Sequence, residues 1–200
     1  GNAVRRTPRS RWTTTYNGVQ SRANDSETAN NSRLRSAYDV FLSKRWFLTV
    51  PNVELYLDRL QNIRYRITPS ASVGYQVVDT DALAWEVSAG PAYQYTRFDV
   101  VPPGEENDQS DVAVVARTDF DCEITGDVDF EFDYAVTAVA DDFSNYNHTF
   151  QMRISVDLTD DLSLDVGLVW DRVNQPVASQ DGVVPEEDDF RTSIGLGWSF

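Results

Sequence analysis

Apolar and polar residues alternate with a period of two along almost the whole chain. From Ile63 the odd positions read Ile63, Tyr65, Ile67, Pro69, Ala71, Val73, Tyr75 and Val77, and the even ones Arg64, Arg66, Thr68, Ser70, Ser72, Gly74 and Gln76. Successive side chains of an extended backbone point to opposite faces, so the segment has one apolar and one polar face. The run Leu83, Trp85, Val87, Ala89, Pro91, Tyr93, Tyr95 repeats the pattern against Glu86, Ser88, Gly90, Ala92, Gln94 and Thr96. Further apolar rows run from Val112 to Ile124, Val128 to Ala140, Tyr146 to Leu158 and Leu162 to Trp170, and a last row holds Phe190, Ile194, Leu196, Trp198 and Phe200. Leu34, Tyr38, Val40 and Leu42 form an earlier row, as do Phe47, Val53, Leu55 and Leu57, while Arg11 to Ala23 alternates weakly. Asn2-Ala3-Val4 reads as a strand tail leading into a turn.

This amounts to about ten strands of roughly 11 to 15 residues, well beyond the usual soluble strand of about 5 or 6. A tilted strand needs about 9 to 11 residues to cross a bilayer. The links also sort by length. Thr7-Pro8-Arg9-Ser10, Ser43-Lys44-Arg45, Asp79-Thr80-Asp81, Thr125-Gly126 and Thr159-Asp160-Asp161 are tight turns. Between them fall longer links at Asn24 to Asn31, Asp58 to Asn62, Val100 to Asp111, Asp141 to Asn145 and Val173 to Asp189. Strict alternation of short and long links is the pattern of membrane barrels with periplasmic turns and external loops.

With that orientation, Tyr75, Trp85, Trp198 and Phe200 fall at the periplasmic interface, and Tyr65, Tyr93, Tyr95, Tyr146, Trp170 and Phe190 at the external one. The residues between them are aliphatic, including Ile67, Val87, Val114, Ile154 and Val166, as a lipid-facing band requires. A soluble ligand-binding barrel shares the alternation but turns its apolar rows inward, and a small closed barrel has no room for about ten long ones. The expected fold is therefore all-β: one antiparallel up-and-down transmembrane β-barrel domain over residues 1–200. Pro51, Pro69 and Pro91 lie inside expected strands, where each removes a ladder hydrogen bond and marks a bulge, an edge or a misplaced boundary.

The chain ends on Ser193-Ile194-Gly195-Leu196-Gly197-Trp198-Ser199-Phe200. This resembles the polar-x-Gly-x-x-aromatic-x-aromatic signal of the last strand of outer-membrane barrels, with Ser193, Gly195, Trp198 and Phe200 on its positions, and implies recognition by the barrel-assembly machinery. Four blocks carry a wider likeness: Tyr38-Asp39-Val40-Phe41-Leu42-Ser43-Lys44-Arg45-Trp46-Phe47, Leu57-Asp58-Arg59-Leu60-Gln61-Asn62-Ile63, Ser72-Val73-Gly74-Tyr75-Gln76-Val77-Val78-Asp79-Thr80-Asp81 and Glu86-Val87-Ser88-Ala89-Gly90-Pro91-Ala92-Tyr93. On these the chain resembles the YdiY-like family of salt-induced outer-membrane proteins, a domain of unknown function. The resemblance covers nearly the whole chain and implies a bacterial outer-membrane location, without catalytic residues to carry over. Members of that family have one or two further strands before the region matching Arg11. The resemblance thus implies that such strands are missing here and that the intact barrel has about 12, an even number.

Composition narrows the function. With 32 acidic against 17 basic residues and a net charge of -15, the chain lacks the basic surface that nucleic acid requires. The single cysteine, Cys122, excludes an internal disulfide framework. The single histidine, His148, leaves little for zinc or for histidine-based catalysis, and no cofactor or metal site is expected. No apolar run approaches the ~18 residues of a membrane helix, which leaves a membrane barrel open because only alternate residues face lipid.

An outer-membrane phospholipase would need a serine two residues after His148, where Phe150 stands. Asp141-Asp142 with His148 faintly echoes an omptin-like protease, but a solvated loop accounts for them. Gly195-Leu196-Gly197 belongs to a strand and not to a phosphate loop, and the Asn147-His148-Thr149 sequon is discounted in a bacterial strand.

The polar rows carry the remaining chemistry. Asp119, Asp121 and Glu123 share one face of a hairpin with Asp129, Glu131 and Asp133. Opposed like charges are costly and need counter-charge, protonation or bound cations. Arg33, Arg35, Arg64, Arg66 and Arg191 are expected to point inward near the external mouth, with Arg117 and Arg153 deeper, where they neutralise some of the acids. The expectation is a monomeric, non-enzymatic barrel in contact with outer-membrane lipid, its charged lumen filled by paired side chains in a structural or envelope-stress role. Two alternatives stay open: a narrow channel for ions or small solutes, since rings of charge set selectivity, and a hydrolase of lipid or peptide at the external rim.

Overall fold

The computed structural model describes residues 1–23, 26–104, 106–159, 161–178 and 182–198. Among them the chain forms eleven strands and no helix: β1 (Asn2–Arg6), β2 (Ser10–Ala23), β3 (Ser26–Phe41), β4 (Trp46–Asp58), β5 (Ile63–Asp79), β6 (Leu83–Phe98), β7 (Asp108–Thr125), β8 (Val128–Val139), β9 (Tyr146–Thr159), β10 (Leu162–Val173) and β11 (Asp188–Trp198). Each pairs antiparallel with its chain neighbour in one sheet ordered β1 to β11. The eleventh strand is the amino-terminal tail, which pairs as β1 with Arg11–Thr15 of β2. The sheet curls until side chains of β2 and β3 bond to those of β9, β10 and β11. Among the described residues β1 and β11 share no ladder, so a seam separates the two ends of the sheet.

The short turns have a common local cause. Thr7, Ser43 and Thr80 each place a hydroxyl where it accepts backbone N–H groups two or three residues on: Ser10 N at 3.0 Å, Trp46 N at 3.0 Å and Leu83 N at 3.0 Å. Thr125 and Thr159 do the same for Asp127 N and Asp161 N, both at 3.4 Å. A side-chain oxygen that replaces a backbone acceptor closes a tight turn without a long loop. At the opposite rim lie the links 59–62, 99–107, 140–145 and 174–187. The link expected from Asn24 to Asn31 is mostly strand, because β3 begins at Ser26; Asn24 and Asp25 lie outside the described residues. We call the two ends the turn rim and the loop rim.

Two register breaks change which side chains face inward. In β4 the ladder to β5 slips between Thr49 and Asn52, around Val50 and Pro51. Phe47 and Thr49 are buried before the slip, and Asn52, Tyr56 and Asp58 after it. Inward positions therefore switch from odd to even. Phe47, expected on the lipid-facing row with Val53 and Leu55, instead points inward, where a Cβ on Gly74 would lie 2.1 Å from its ring. In β5 a second slip between Ile63 and Tyr65 buries Ile63 at 1% exposure and turns Arg64 out. Pro69 and Pro91 sit in continuous register opposite Val53 and Val114 and mark neither edge nor bulge.

The outward wall is apolar over its length, with Val112, Val114, Ile194 and Leu196 all exposed. Aromatic residues gather at both rims: Trp46 and Tyr75, with ring centres 4.9 Å apart, at the turn rim, and Tyr65 and Tyr95, 6.0 Å apart, at the loop rim. Phe190 stacks on Trp170 at 5.4 Å, and Trp170 meets His148 edge-on at 4.4 Å. The middle band is not wholly aliphatic, since Phe120 stacks on Phe132 at 5.1 Å.

Candidate functional site in the barrel interior

The interior is polar because alternate positions of every strand point into it, and its charges pair mostly across the lumen. Near the turn rim of β2, Arg11 gives Nε to Asp39 Oδ2 at 2.7 Å and both terminal nitrogens to Glu86 of β6, at 3.0 and 2.6 Å. Gln76 Nε2 adds a bond to Glu86 at 3.0 Å, and Thr49 Oγ1 donates to Asp39 at 2.6 Å. A bidentate guanidinium–carboxylate pair fixes both direction and distance, so this tie holds β2 against β6. In the middle layer Glu54 of β4 faces Arg117 of β7 at 3.2 Å and Arg33 of β3 at 3.7 Å. Arg35 donates Nε to Asn52 Oδ1 at 3.0 Å.

Towards the loop rim the ties converge on Asp171 of β10, which is 5% exposed. Its Oδ1 accepts from Arg33 Nη2 at 2.8 Å and from Thr149 Oγ1 at 2.6 Å, and its Oδ2 accepts from Arg191. Arg33 also meets Thr149, and its guanidinium lies 4.6 Å from the centre of the Tyr56 ring. Arg191 continues to Asn31 Oδ1 at 2.6 Å and to Asp189 at 3.2 Å. Arg66 bonds Thr96 at 3.0 Å, and Gln94 of β6 bonds Asn147 of β9 at 2.9 Å. Above this layer pack Tyr56, Ile63 and Val173. The described residues of the link after β10 are held near them by Gln61 Nε2 on Glu186 O at 2.6 Å and by Asn62 Nδ2 on Val177 O and Ala178 O at 3.4 and 3.3 Å.

Below Arg33 a cavity of about 780 Å³ remains, bordered by both walls of the lumen, from Arg11, Asp39 and Glu86 on one side to Asp121, Arg153 and Ser193 on the other. Arg35, Arg117, Asp119, Asp121, Glu131, Asp133 and Arg153 line it. The expected opposition of acids is present in register, Asp119 to Asp133, Asp121 to Glu131 and Glu123 to Asp129. Arg153 pairs with Glu131 at 2.6 Å, with side chains 53% and 41% exposed. Arg117 turns away from the hairpin to Glu54. Glu123 and Asp129 are exposed near the turn rim and do not border the cavity.

Of the arginines expected inside, Arg33, Arg35, Arg66, Arg117, Arg153 and Arg191 are there. Arg64 is not: the β5 register slip places it in an outward recess beside Leu57 and Tyr65. Reading by local spacing missed Arg11, Asp39, Glu54, Glu86 and Asp171, which hold most of the ties. Each stands on the polar row of its strand, so the signal was present, but the ties Glu54–Arg117, Arg11–Glu86 and Arg33–Asp171 span 63, 75 and 138 residues.

Of the terminal residues, Ser193 borders the cavity, Gly195 has open space around its Cα, and Trp198 is exposed on the outer wall. Phe200 lies outside the described residues. His148 is enclosed by Tyr134, Tyr146 and Trp170, and its Nδ1 lies 3.1 Å from Tyr134 Oη. Asp142 instead binds Ser144 of its own turn and not His148. Among the described residues no group of His, Cys, Asp and Glu is arranged to hold a metal ion.

The sequence model of one protein family, described as protein of unknown function DUF481, matches residues 1–200. No curated protein matches the chain in sequence. Among solved structures, the chain is similar to the NanC porin in its rhombohedral crystal form, with a TM-score of 0.53 at 12% identity over 96% of this chain and 94% of that one. It is also similar to a Pseudomonas aeruginosa FadL homologue, with a TM-score of 0.51 at 10% identity over 97% of this chain and 64% of that one. At these identities the likeness is one of fold, that of an outer-membrane β-barrel.

Proposed function

The chain belongs to the DUF481 family of proteins of unknown function, and we propose that it is a monomeric, non-enzymatic barrel of the bacterial outer membrane whose own side chains plug its lumen. The observation that carries this reading is the buried knot at Asp171, where β3, β9, β10 and β11 are tied through Arg33, Thr149 and Arg191. A path for solute would have to break that knot. Location is supported by the apolar outer wall with aromatic rims, which suits lipid on all sides. With the turn rim at the periplasm, Ser193, Gly195 and Trp198 of β11 would be available for assembly machinery to read the last strand. A hydrolytic role finds no support at His148, whose neighbours are aromatic rings.

In this reading the protein stiffens the envelope, and its abundance rises with external salt; comparing its level in cells grown at low and high sodium chloride tests that part. The plug is tested by solute-driven swelling of vesicles carrying the protein. Swelling no faster than that of empty vesicles is expected. Rapid swelling with small sugars would favour a narrow solute passage, the second reading, which the cavity of about 780 Å³ supports.

A further inference from the structure

On the outward wall near the loop rim, the surface changes character within two rungs of the sheet. Tyr16, Leu34, Leu55, Ile67 and Tyr95 are successive ladder partners and form one apolar rung. The next rung outward joins Gly18, Ser32 and Leu57. One further on, Gln20 pairs with Asn30, whose carbonyl accepts from Arg59 N at 3.3 Å. Same-face neighbours along a strand are about 6 to 7 Å apart, so the step from apolar wall to cationic surface takes about 13 Å. A recess of about 720 Å³ opens at this step, with Leu57 and Tyr65 on its apolar side and Arg59, Arg64 and Gln20 on its polar side.

Arg59 and Arg64 are exposed, and neither makes an ion pair or side-chain hydrogen bond with any described residue. Asp99, the acid in the lining, is exposed and pairs with neither. This is unusual for a chain in which acids outnumber bases by 32 to 17 and the interior arginines are nearly all bonded. Arg64 is turned out by a specific device, the β5 register slip that also buries Ile63.

We propose that this recess binds the phosphate-bearing headgroup of a lipid in the external leaflet, with Arg59 and Arg64 on the phosphate and Leu57 and Tyr65 against the first carbons of an acyl chain. The inference rests on the outer-membrane placement above. Paired guanidinium groups suit phosphate oxygens because each offers fork-shaped donors, and basic pockets at the level of the headgroups are a recurrent lipid-binding device.

Native mass spectrometry of the protein released from mixed vesicles tests it, with phosphatidic acid as the phosphomonoester probe and phosphatidylcholine as the zwitterionic control. Wild type is expected to retain phosphatidic acid over phosphatidylcholine, and Arg59→Ala/Arg64→Ala to lose about tenfold of that retention, with Arg59→Lys/Arg64→Lys recovering part. Equal retention of both lipids by wild type overturns the proposal without recourse to any variant. So does unchanged retention in the alanine variant, or full displacement by millimolar inorganic phosphate, which would assign the recess to a free anion. Heat-modifiable migration of the same samples reports barrel insertion separately, so loss of lipid with an intact membrane barrel is distinguishable from failure of the outer-membrane reading.

Discussion

Two stretches of the same wall treat the lumen differently. Along β4 and β5, buried inward residues occur at both rims, Phe47, Thr49 and Gln76 at the turn rim and Tyr56 and Ile63 at the loop rim, while in β6 Ala84, Glu86 and Ser88 are half-buried and burial begins at Ala92, Gln94 and Thr96. Along β7–β11 inward residues are buried only towards the loop rim, at Ala113, Val115, Thr149, Asp171 and Val173. Towards the turn rim Asp121, Arg153 and Ser193 are exposed around the cavity. Both stretches carry arginines and carboxylates, so composition does not explain the difference. Partner choice does. Where a charge pairs across the lumen, as in Arg11–Glu86 or Arg33–Asp171, the side chains bridge the walls and are largely shielded from solvent. Where it pairs with the adjacent strand, as in Arg153–Glu131, the ion pair lies flat on its own wall and leaves the centre open.

The largest test of this contrast is Asp171→Ala. It removes the buried carboxylate shared by Arg33 and Arg191, leaving them the longer ion pairs to Glu54 and Asp189, and loss of one partner of a buried ion pair costs up to about 3–5 kcal/mol; unfolding in detergent by urea measures it. Next comes a pair of glycines. At Gly74 a Cβ would overlap the Phe47 ring, whereas at Gly195 nothing lies within 4 Å. Gly74→Ala is expected to cost about 1–3 kcal/mol through overpacking, and Gly195→Ala to change stability by less than about 0.5 kcal/mol, as at an open surface position. A similar cost at both sites would mean that the β4–β5 interior is no tighter than the β11 wall.

The half-exposed pair should matter less again, with Arg153→Gln costing under about 1 kcal/mol and less at high salt. The smallest effect belongs to the loop 140–145. There the Ser144 hydroxyl and backbone N–H hold the Asp142 carboxyl below its ordinary range. A depressed folded value adds stability above the unfolded pKa, and that contribution fades as pH falls through the folded one. Titration of Asp142 by NMR should therefore start below the usual carboxylate range and move up in Ser144→Ala.

The fold was largely legible in the sequence because period-two alternation and turn length are local signals. Ser and Thr at the five short turns, and the apolar rows, each act within a few residues. The interior was legible only where charges faced each other across one hairpin, as Asp119 does Asp133. The knot at Asp171 was not, since register and curl decide which distant rows meet. Arg64, Ile63 and Phe47 were assigned to the wrong face for one physical reason, a slipped register that inverts every position beyond it. Pro51 marked one of these slips, and nothing comparable announced the other.

Conductance across planar bilayers tests the plugged lumen most directly. The account predicts no stable steps for the wild-type barrel, and steps in Arg33→Ala/Arg191→Ala, where the knot is opened while the open side stays unchanged. Steady wild-type conductance that falls when Asp121 and Glu131 are neutralised would contradict it and establish the cavity as part of a continuous path.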